Sequence, residues 1–293
     1  MDTVGPIRTV APVVVGVDGV RNHLAAVELA AGEAERRHVP LLLVHVLAGE
    51  SAQITTEAEG QKLLCAAADH VRAGTPGVPV GTELAWGNPG QVLVEWSRQA
   101  RLIVVGHRDV IPVHARWGST AAFLARRSAC PVLVRRGGLP GRGPVVVVVQ
   151  AAAGEQAAIG CAFHEAGRLN SRLVAVHVHT GAPGATPIDH VAERQEGRRF
   201  LAEALAGWAW TYPDVPVERV ILDQADITYT MQRAARRSRL LVTGIGSDGG
   251  STDLVYDPFG LVLSRQAACP VLLVPSVRRP AVVTVPAEAL ERQ

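Results

Sequence analysis

The stretch Ser128-Ala129-Cys130-Pro131-Val132-Leu133-Val134 returns near the far end of the chain as Ala268-Cys269-Pro270-Val271-Leu272-Leu273-Val274. Working outward from it, the echoes continue in order. Pro12-Val13-Val14-Val15-Gly16-Val17-Asp18 is answered by Pro144-Val145-Val146-Val147-Val148-Val149-Gln150, and His45-Val46 by His177-Val178. Val78-Pro79-Val80 is answered by Val215-Pro216-Val217, and Leu102-Ile103-Val104-Val105-Gly106 by Leu240-Leu241-Val242-Thr243-Gly244. So long a period indicates two copies of one domain rather than a solenoid. The 293 residues suffice for two domains of about 100–200 residues each.

The fold class follows from the order of the patterns. Val13–Val17 is a short continuous apolar run, as expected of a strand buried on both faces. A helix is predicted from about Asn22 to Arg37, with Leu24, Val27, Ala31 and Ala34 inward and Pro40 as its stop. Strand Leu41–Val46, helix Ala52–Ala73, strand Val78–Leu84 and a helix opened by Pro89 follow, the last with Val92, Trp96 and Ala100 inward. Strand Leu102–Val105, a polar segment His107–Trp117, a helix from Gly118-Ser119-Thr120 to about Ser128, and strand Val132–Val134 complete the first half. After the Gly- and Pro-rich linker 137–144 the series repeats, with strands near Val145–Val149, Leu173–His179, Val217–Leu222, Leu240–Thr243 and Val271–Val274. Alternating strands and helices predict an α/β fold: two tandem doubly wound, Rossmann-like parallel-sheet domains of five strands each, spanning 10–136 and 143–276. Residues 277–293 form a tail, in which Ala281–Val285 reads as an edge strand or an arm.

Composition narrows the function. Net charge is +2, with acids and bases interspersed, which gives no electrostatic case for nucleic acid or membrane partners. Lys62 is the only lysine, which reads as the coding bias of a GC-rich bacterium. No apolar run approaches the about 20 residues of a membrane span. No basic segment followed by an apolar one opens the chain, so no signal peptide is expected. Cys65, Cys130, Cys161 and Cys269 form no CxxC pair, and a reduced, cytoplasmic location is expected. Cys130 and Cys269, each before Pro-Val, read as small buried hydrophobes. His177 with His179, and His107 with His114, have spacings that could ligate a metal, but neither pair has a third ligand in pattern, and no metal site is expected. No GxSxG, HExxH or Walker A motif and no catalytic carboxylate pair is present, so no catalytic residue is assigned.

What remains is a constellation at the carboxyl ends of the first-half strands, where such sheets bind ligands. Asp18 and Gly19 follow strand one, Val46 ends strand two, Gly106 ends strand four, and Gly118-Ser119-Thr120 opens a helix whose unpaired N–H groups favour an anion. With Val17-Asp18, His45-Val46, the Gly-x-x-Gly-like start at Gly106, the Gly118-Ser119 pair and Cys130-Pro131-Val132, the chain resembles a tandem universal stress protein through both halves. The resemblance implies an adenine pocket at Val17, Asp18 and Val46. It implies ribose and phosphates, as ATP with Mg²⁺, between Gly106 and Gly118-Ser119-Thr120. It also implies that the last strands of the two halves meet in an intrachain pseudo-dimer; a homodimer is a further expectation. The first half departs from the pattern at Asp109, which stands for the second glycine and needs Mg²⁺ or Arg108 to offset its charge, and in a loop one residue short. The second half departs further. Gln150 stands for Asp18, Asp223 for Gly87, Ser247 for the second glycine, and Asp257-Pro258-Phe259 for Gly118-Ser119-Thr120, so that half is expected to be nucleotide-free. The expected function is a non-catalytic stress-response regulator holding ATP in its first half. The alternatives are a structural interaction protein without nucleotide, and a slow ATPase using the same pocket.

Overall fold

Proline carbonyls set the starting edge of the sheets. Val13 N–H donates to the Pro40 carbonyl at 2.9 Å, Leu41 to Pro79 at 2.8 Å, Arg101 to Pro12 at 2.8 Å and Ile103 to Pro131 at 3.0 Å. The second half repeats the device, with Leu173 on Pro216, Arg239 on Pro144 and Leu241 on Pro270. A proline has no N–H to leave unsatisfied, so at a strand entry it costs the ladder nothing while its carbonyl still accepts. These contacts come from a computed structural model that describes residues 10–19, 23–47, 56–106, 119–136, 142–149, 155–179, 187–223, 236–245 and 269–275.

Among the described residues the elements run β1 (Val13–Gly16), α1 (His23–Arg37), β2 (Leu41–Leu47), α2 (Glu57–Gly74), β3 (Val80–Trp86), α3 (Pro89–Ser97), β4 (Leu102–Gly106), α4 (Ser119–Arg127) and β5 (Val132–Arg135). They continue as β6 (Val145–Val149), α5 (Glu155–Arg168), β7 (Leu173–His179), α6 (Pro187–Thr211), β8 (Val217–Asp223), β9 (Leu240–Ile245) and β10 (Val271–Pro275). The fold is α/β with parallel strands. The chain divides into two compact units, the first holding described residues within 10–106 and 127–132, the second those within 119–126 and 133–275.

In the first unit the strand order is β3-β2-β1-β4. β1 pairs in parallel with β2 (Val13↔Leu41 to Gly16↔Val44) and, on its other side, with β4 (Val13↔Leu102 to Val15↔Val104). The chain therefore winds outward through β2 and β3, then crosses back past β1. With right-handed crossovers this reversal puts helices on both faces, which is double winding. In the second unit the order is β8-β7-β6-β9-β10, the same reversal about β6. Val13, Val14 and Val15 are fully buried, as are Leu43, Ile103 and Val104. Each such aliphatic side chain contributes roughly 1.5–3 kcal/mol of transfer free energy.

Helix boundaries differ from the sequence expectation in instructive ways. α1 does not need Pro40 to stop it. His38 takes φ 53°, its N–H donates to Glu35 at 3.0 Å and Val39 N–H donates to Ala34 at 3.1 Å, which is a Schellman ending. Asn170 (φ 46°) ends α5 in the same way. α2 begins at Glu57 rather than near Ala52, because Thr56 and Glu59 close a capping box: Thr56 Oγ1 accepts from Glu59 N–H at 3.3 Å, and Glu59 Oε2 accepts from Thr56 N–H at 2.8 Å. In α1, Val27, Ala31 and Ala34 are buried as expected, but Leu24, at the start of the helix, is exposed. In α3 the buried side is Leu93 and Ser97, one residue along from the expected Val92 and Trp96. β3 starts at Val80, since Val78 N–H is used in a turn to Thr75. The tail 277–293 lies outside the described residues.

Candidate functional site at the carboxyl edge of the first unit

The reversal of winding falls between β1 and β4, so the crevice such sheets offer opens where those two strands end. Val17 and Asp18 leave β1 there, and Gly106 is the last residue of β4. Val17 is buried, while Asp18, Gly19 and Gly106 are exposed. Gly19 turns the chain with φ 69°, a conformation that costs glycine nothing and a branched residue a great deal. Val46, half-buried, lies at the end of the neighbouring β2. The third strand end is also shaped by glycine: Gly87 takes φ 124° and donates its N–H to the Leu47 carbonyl at 3.0 Å. Among the described residues nothing lies within 4 Å of where a Cβ at Gly87 would stand, so they leave this turn open. Asn88 then caps α3, its Oδ1 accepting from Gly90 N–H at 2.9 Å and Gln91 N–H at 3.3 Å.

Four of the eight residues expected at the site, Val17, Asp18, Val46 and Gly106, are thus brought to one edge of the first unit. Ser119 and Thr120 form the first turn of α4, as expected of a helix start. Arg108 and Gly118 lie outside the described residues, and so does Asp109. Uncrowded backbone at Gly87 and Gly106, beside an exposed carboxylate able to accept hydrogen bonds from a ribose or an adenine amino group, is compatible with an adenine nucleotide.

Sequence reasoning missed the part that holds the edge together. His45 is buried, and its Nδ1 lies 2.6 Å from the Val17 carbonyl oxygen. A carbonyl can only accept, so it is Nδ1–H that donates in this contact. His45 Nε2 is buried with no hydrogen-bond partner. The only sequence signal was the repetition of His-Val at the end of both second strands. His177 is likewise held at 2.8 Å from the Val149 carbonyl, and its ring packs at a tilt of 48° against Phe200 with centroids 4.8 Å apart. Among the described residues no group of three or more His, Cys, Asp or Glu side chains is placed to hold a metal ion, and no helix is long and apolar enough to cross a membrane.

Both cysteines of the repeated Cys-Pro-Val phrase are buried. Burial pushes the Cys130 thiol from 9.0 up to about 12, against weaker opposing hydrogen bonds from Ser128 and Ile103. Cys269 is pushed up to about 12 by the same cause, opposed weakly by a backbone hydrogen bond and the Arg136 charge. They are packing residues, as their sequence context suggested.

Comparison with known proteins bears on the family and the fold. A family profile described as the universal stress protein family matches residues 10–136. A universal stress protein of Mycobacterium tuberculosis is 31% identical over 287 residues, covering 89% of this chain and 96% of the relative. Another from the same organism is 34% identical over 220 residues, covering 73% of this chain and 81% of that protein. The crystal structure of a universal stress protein from Archaeoglobus fulgidus superposes with a TM-score of 0.64 at 13% identity, covering 89% of this chain and 96% of that one, a likeness of fold. Sequence identity of this extent, across nearly the whole length of both proteins, decides the matter: the chain belongs to the universal stress protein family.

Proposed function

We propose that this protein is a cytoplasmic stress-response regulator that binds one adenine nucleotide, ATP with Mg²⁺, at the first-half edge and acts by binding rather than by turnover. The observation that carries the reading is the placement of Asp18 and Gly106 on either side of the β1/β4 reversal, with Val46 and the open turn at Gly87 on the same edge. Asp18 and Val46 would hold the adenosine. The N–H groups at the start of α4, with Ser119 and Thr120, would take the phosphates, and Arg108 would offset Asp109. Mg²⁺ would supply charge neutralisation of the phosphates. The intrachain pseudo-dimer and the homodimer expected from the repeat belong to the same proposal, and sedimentation equilibrium reads the mass directly.

Two measurements test the binding. Chromatography of freshly purified, denatured protein should release adenine nucleotide, and calorimetric titration of stripped protein with MgATP should show saturable binding. Absence of both would leave a protein that works through its surfaces alone. A phosphate-release assay under the same conditions should stay near background, since no placed base or water-orienting group is assigned.

A further inference from the structure

Val17 has both of its backbone polar groups committed to β2. Its N–H donates to the Val44 carbonyl at 2.8 Å, and its carbonyl accepts from His45 Nδ1 at 2.6 Å. The recorded strand pairing stops just before it, at Gly16↔Val44, whereas the equivalent pairing in the second unit continues one step further, to Val149↔His177. Where the β1 ladder ends, a side chain takes over. The carbonyl of Val17 and the N–H of Asp18 belong to one planar peptide unit, so holding the oxygen fixes the plane and with it the direction in which Asp18 leaves the strand.

The ring itself is held by close approach. A Cβ at Gly60, in the interior of α2, would stand 3.0 Å from His45 Cδ2 and 2.9 Å from a methyl of Leu84. The second unit repeats this: a Cβ at Gly197 in α6 would stand 3.1 Å from His177 Cδ2 and 3.3 Å from Ile221 Cδ1. Glycine is disfavoured within a helix, so its use at the same place in both copies marks a contact that only its missing side chain allows. Strand, imidazole and helix thus form one repeated unit, and in the first copy that unit ends at Asp18.

We propose that His45 is a positioning residue of the nucleotide edge. Through the Val17 carbonyl it sets the orientation of the Asp18 peptide, while Gly60 keeps its ring in register. The role in binding rests on the nucleotide reading above.

The test compares His45→Asn, His45→Gln and His45→Ala. Asparagine puts an amide N–H near the place of Nδ1, and glutamine puts it near Nε2, so only the first can reach the Val17 carbonyl. At a temperature where circular dichroism shows every variant folded, MgATP affinity of H45N should stay within about threefold of the unaltered protein. That of H45Q and H45A should fall by about tenfold, the worth of one well-made hydrogen bond. His177→Ala should lower the melting temperature without changing affinity, which separates positioning from general stability. Should H45A fail to fold, the H45N and H45Q pair carries the comparison alone. Equal affinity of H45N and H45Q overturns the proposal. So does an imidazole ¹⁵N spectrum showing His45 Nδ1 without a proton. If the unaltered protein binds no MgATP, the functional reading fails. The positioning claim is then read from hydrogen exchange at the Asp18 and Gly19 amides, which should be faster in H45Q than in H45N; equal rates would overturn it.

Discussion

At the residue scale, the polar groups that matter are few, and their surroundings decide what each can do. Asp18 is exposed at the end of β1, so its removal should touch binding far more than folding. Asp18→Ala should weaken MgATP by about tenfold or more, as expected for a hydrogen bond to a charged group. Stability should change by no more than about 0.5 kcal/mol. Titration calorimetry and urea unfolding check the two halves of that statement. The cysteines separate in the same way. At pH 8 an exposed Cys65 should react promptly with a disulfide reagent, while Cys130 and Cys269, protonated and buried, should react only once denaturant opens the fold. Their raised thiols also make a pH statement. A proton held more tightly in the folded state contributes stability that is present in full below the unfolded value of 9.0 and is lost as pH rises toward about 12. Urea unfolding between pH 9 and 11.5 should therefore show a steeper loss for the unaltered protein than for C130A/C269A.

At the element scale, the strands were legible and the helix faces less so. Continuous Val runs bounded by proline can be little other than buried parallel strands, and all ten expected strands are present among the described residues. The face of α3 was read one residue off, because Val92 and Trp96 match helical spacing as well as Leu93 and Ser97 do. Ser97 is in fact buried, donating to the Val94 carbonyl at 2.7 Å and accepting from Ala129 N–H at 2.8 Å, contacts that periodicity cannot register. The stops of α1 and α5 were hidden for a related reason, since His38 and Asn170 stand where glycine would have announced the turn. Helix glycines give a signed test. A Cβ at Gly160 in α5 would stand 2.4 Å and 2.6 Å from ring atoms of Trp208, whose Nε1–H donates to Gln156 at 2.9 Å. At Gly207 in α6 no described residue lies within 4 Å of where a Cβ would stand. Gly207→Ala should stabilise by about 0.5–1 kcal/mol. Gly160→Ala should destabilise by about 1–3 kcal/mol, because the Trp208 ring must leave its place. Urea midpoints moving in opposite directions would bear this out; two shifts of the same sign would show that α5 and α6 do not meet as described.

At the scale of the whole molecule, the question is how the two copies of the domain differ at the edge where the first is proposed to bind. The architecture does not distinguish them: both units reverse their winding about the first strand, and both hold the end of that strand with a histidine from the second. The proposed difference lies in residues at the strand ends, which the sequence displays directly, whereas the histidine contact beneath them appears only in the fold. Gln150 follows β6 where Asp18 follows β1, so the carboxylate is gone. The strand registers correct one expected difference: Leu47↔Trp86 in the first unit and His179↔Asp223 in the second put Asp223 level with Trp86, the last residue of β3, so it is Gln224 and not Asp223 that follows in the place of Gly87. In the sequence Asp257-Pro258 stands where Gly118-Ser119 stands in the first half, a carboxylate that would repel a phosphate and a proline with no N–H to offer one. The changes at Gln150 and at Asp257-Pro258 would oppose an adenosine and a phosphate respectively, which is why we propose that the second copy keeps the scaffold without the ligand. MgATP should therefore saturate at one equivalent per chain. Gly118→Asp with Ser119→Pro, which copies the second half into the first, should abolish binding while leaving the far-ultraviolet circular dichroism unchanged. Two equivalents per chain, or binding that survives the double change, would mean that the second copy is a working site and that the asymmetry of the repeat has another origin.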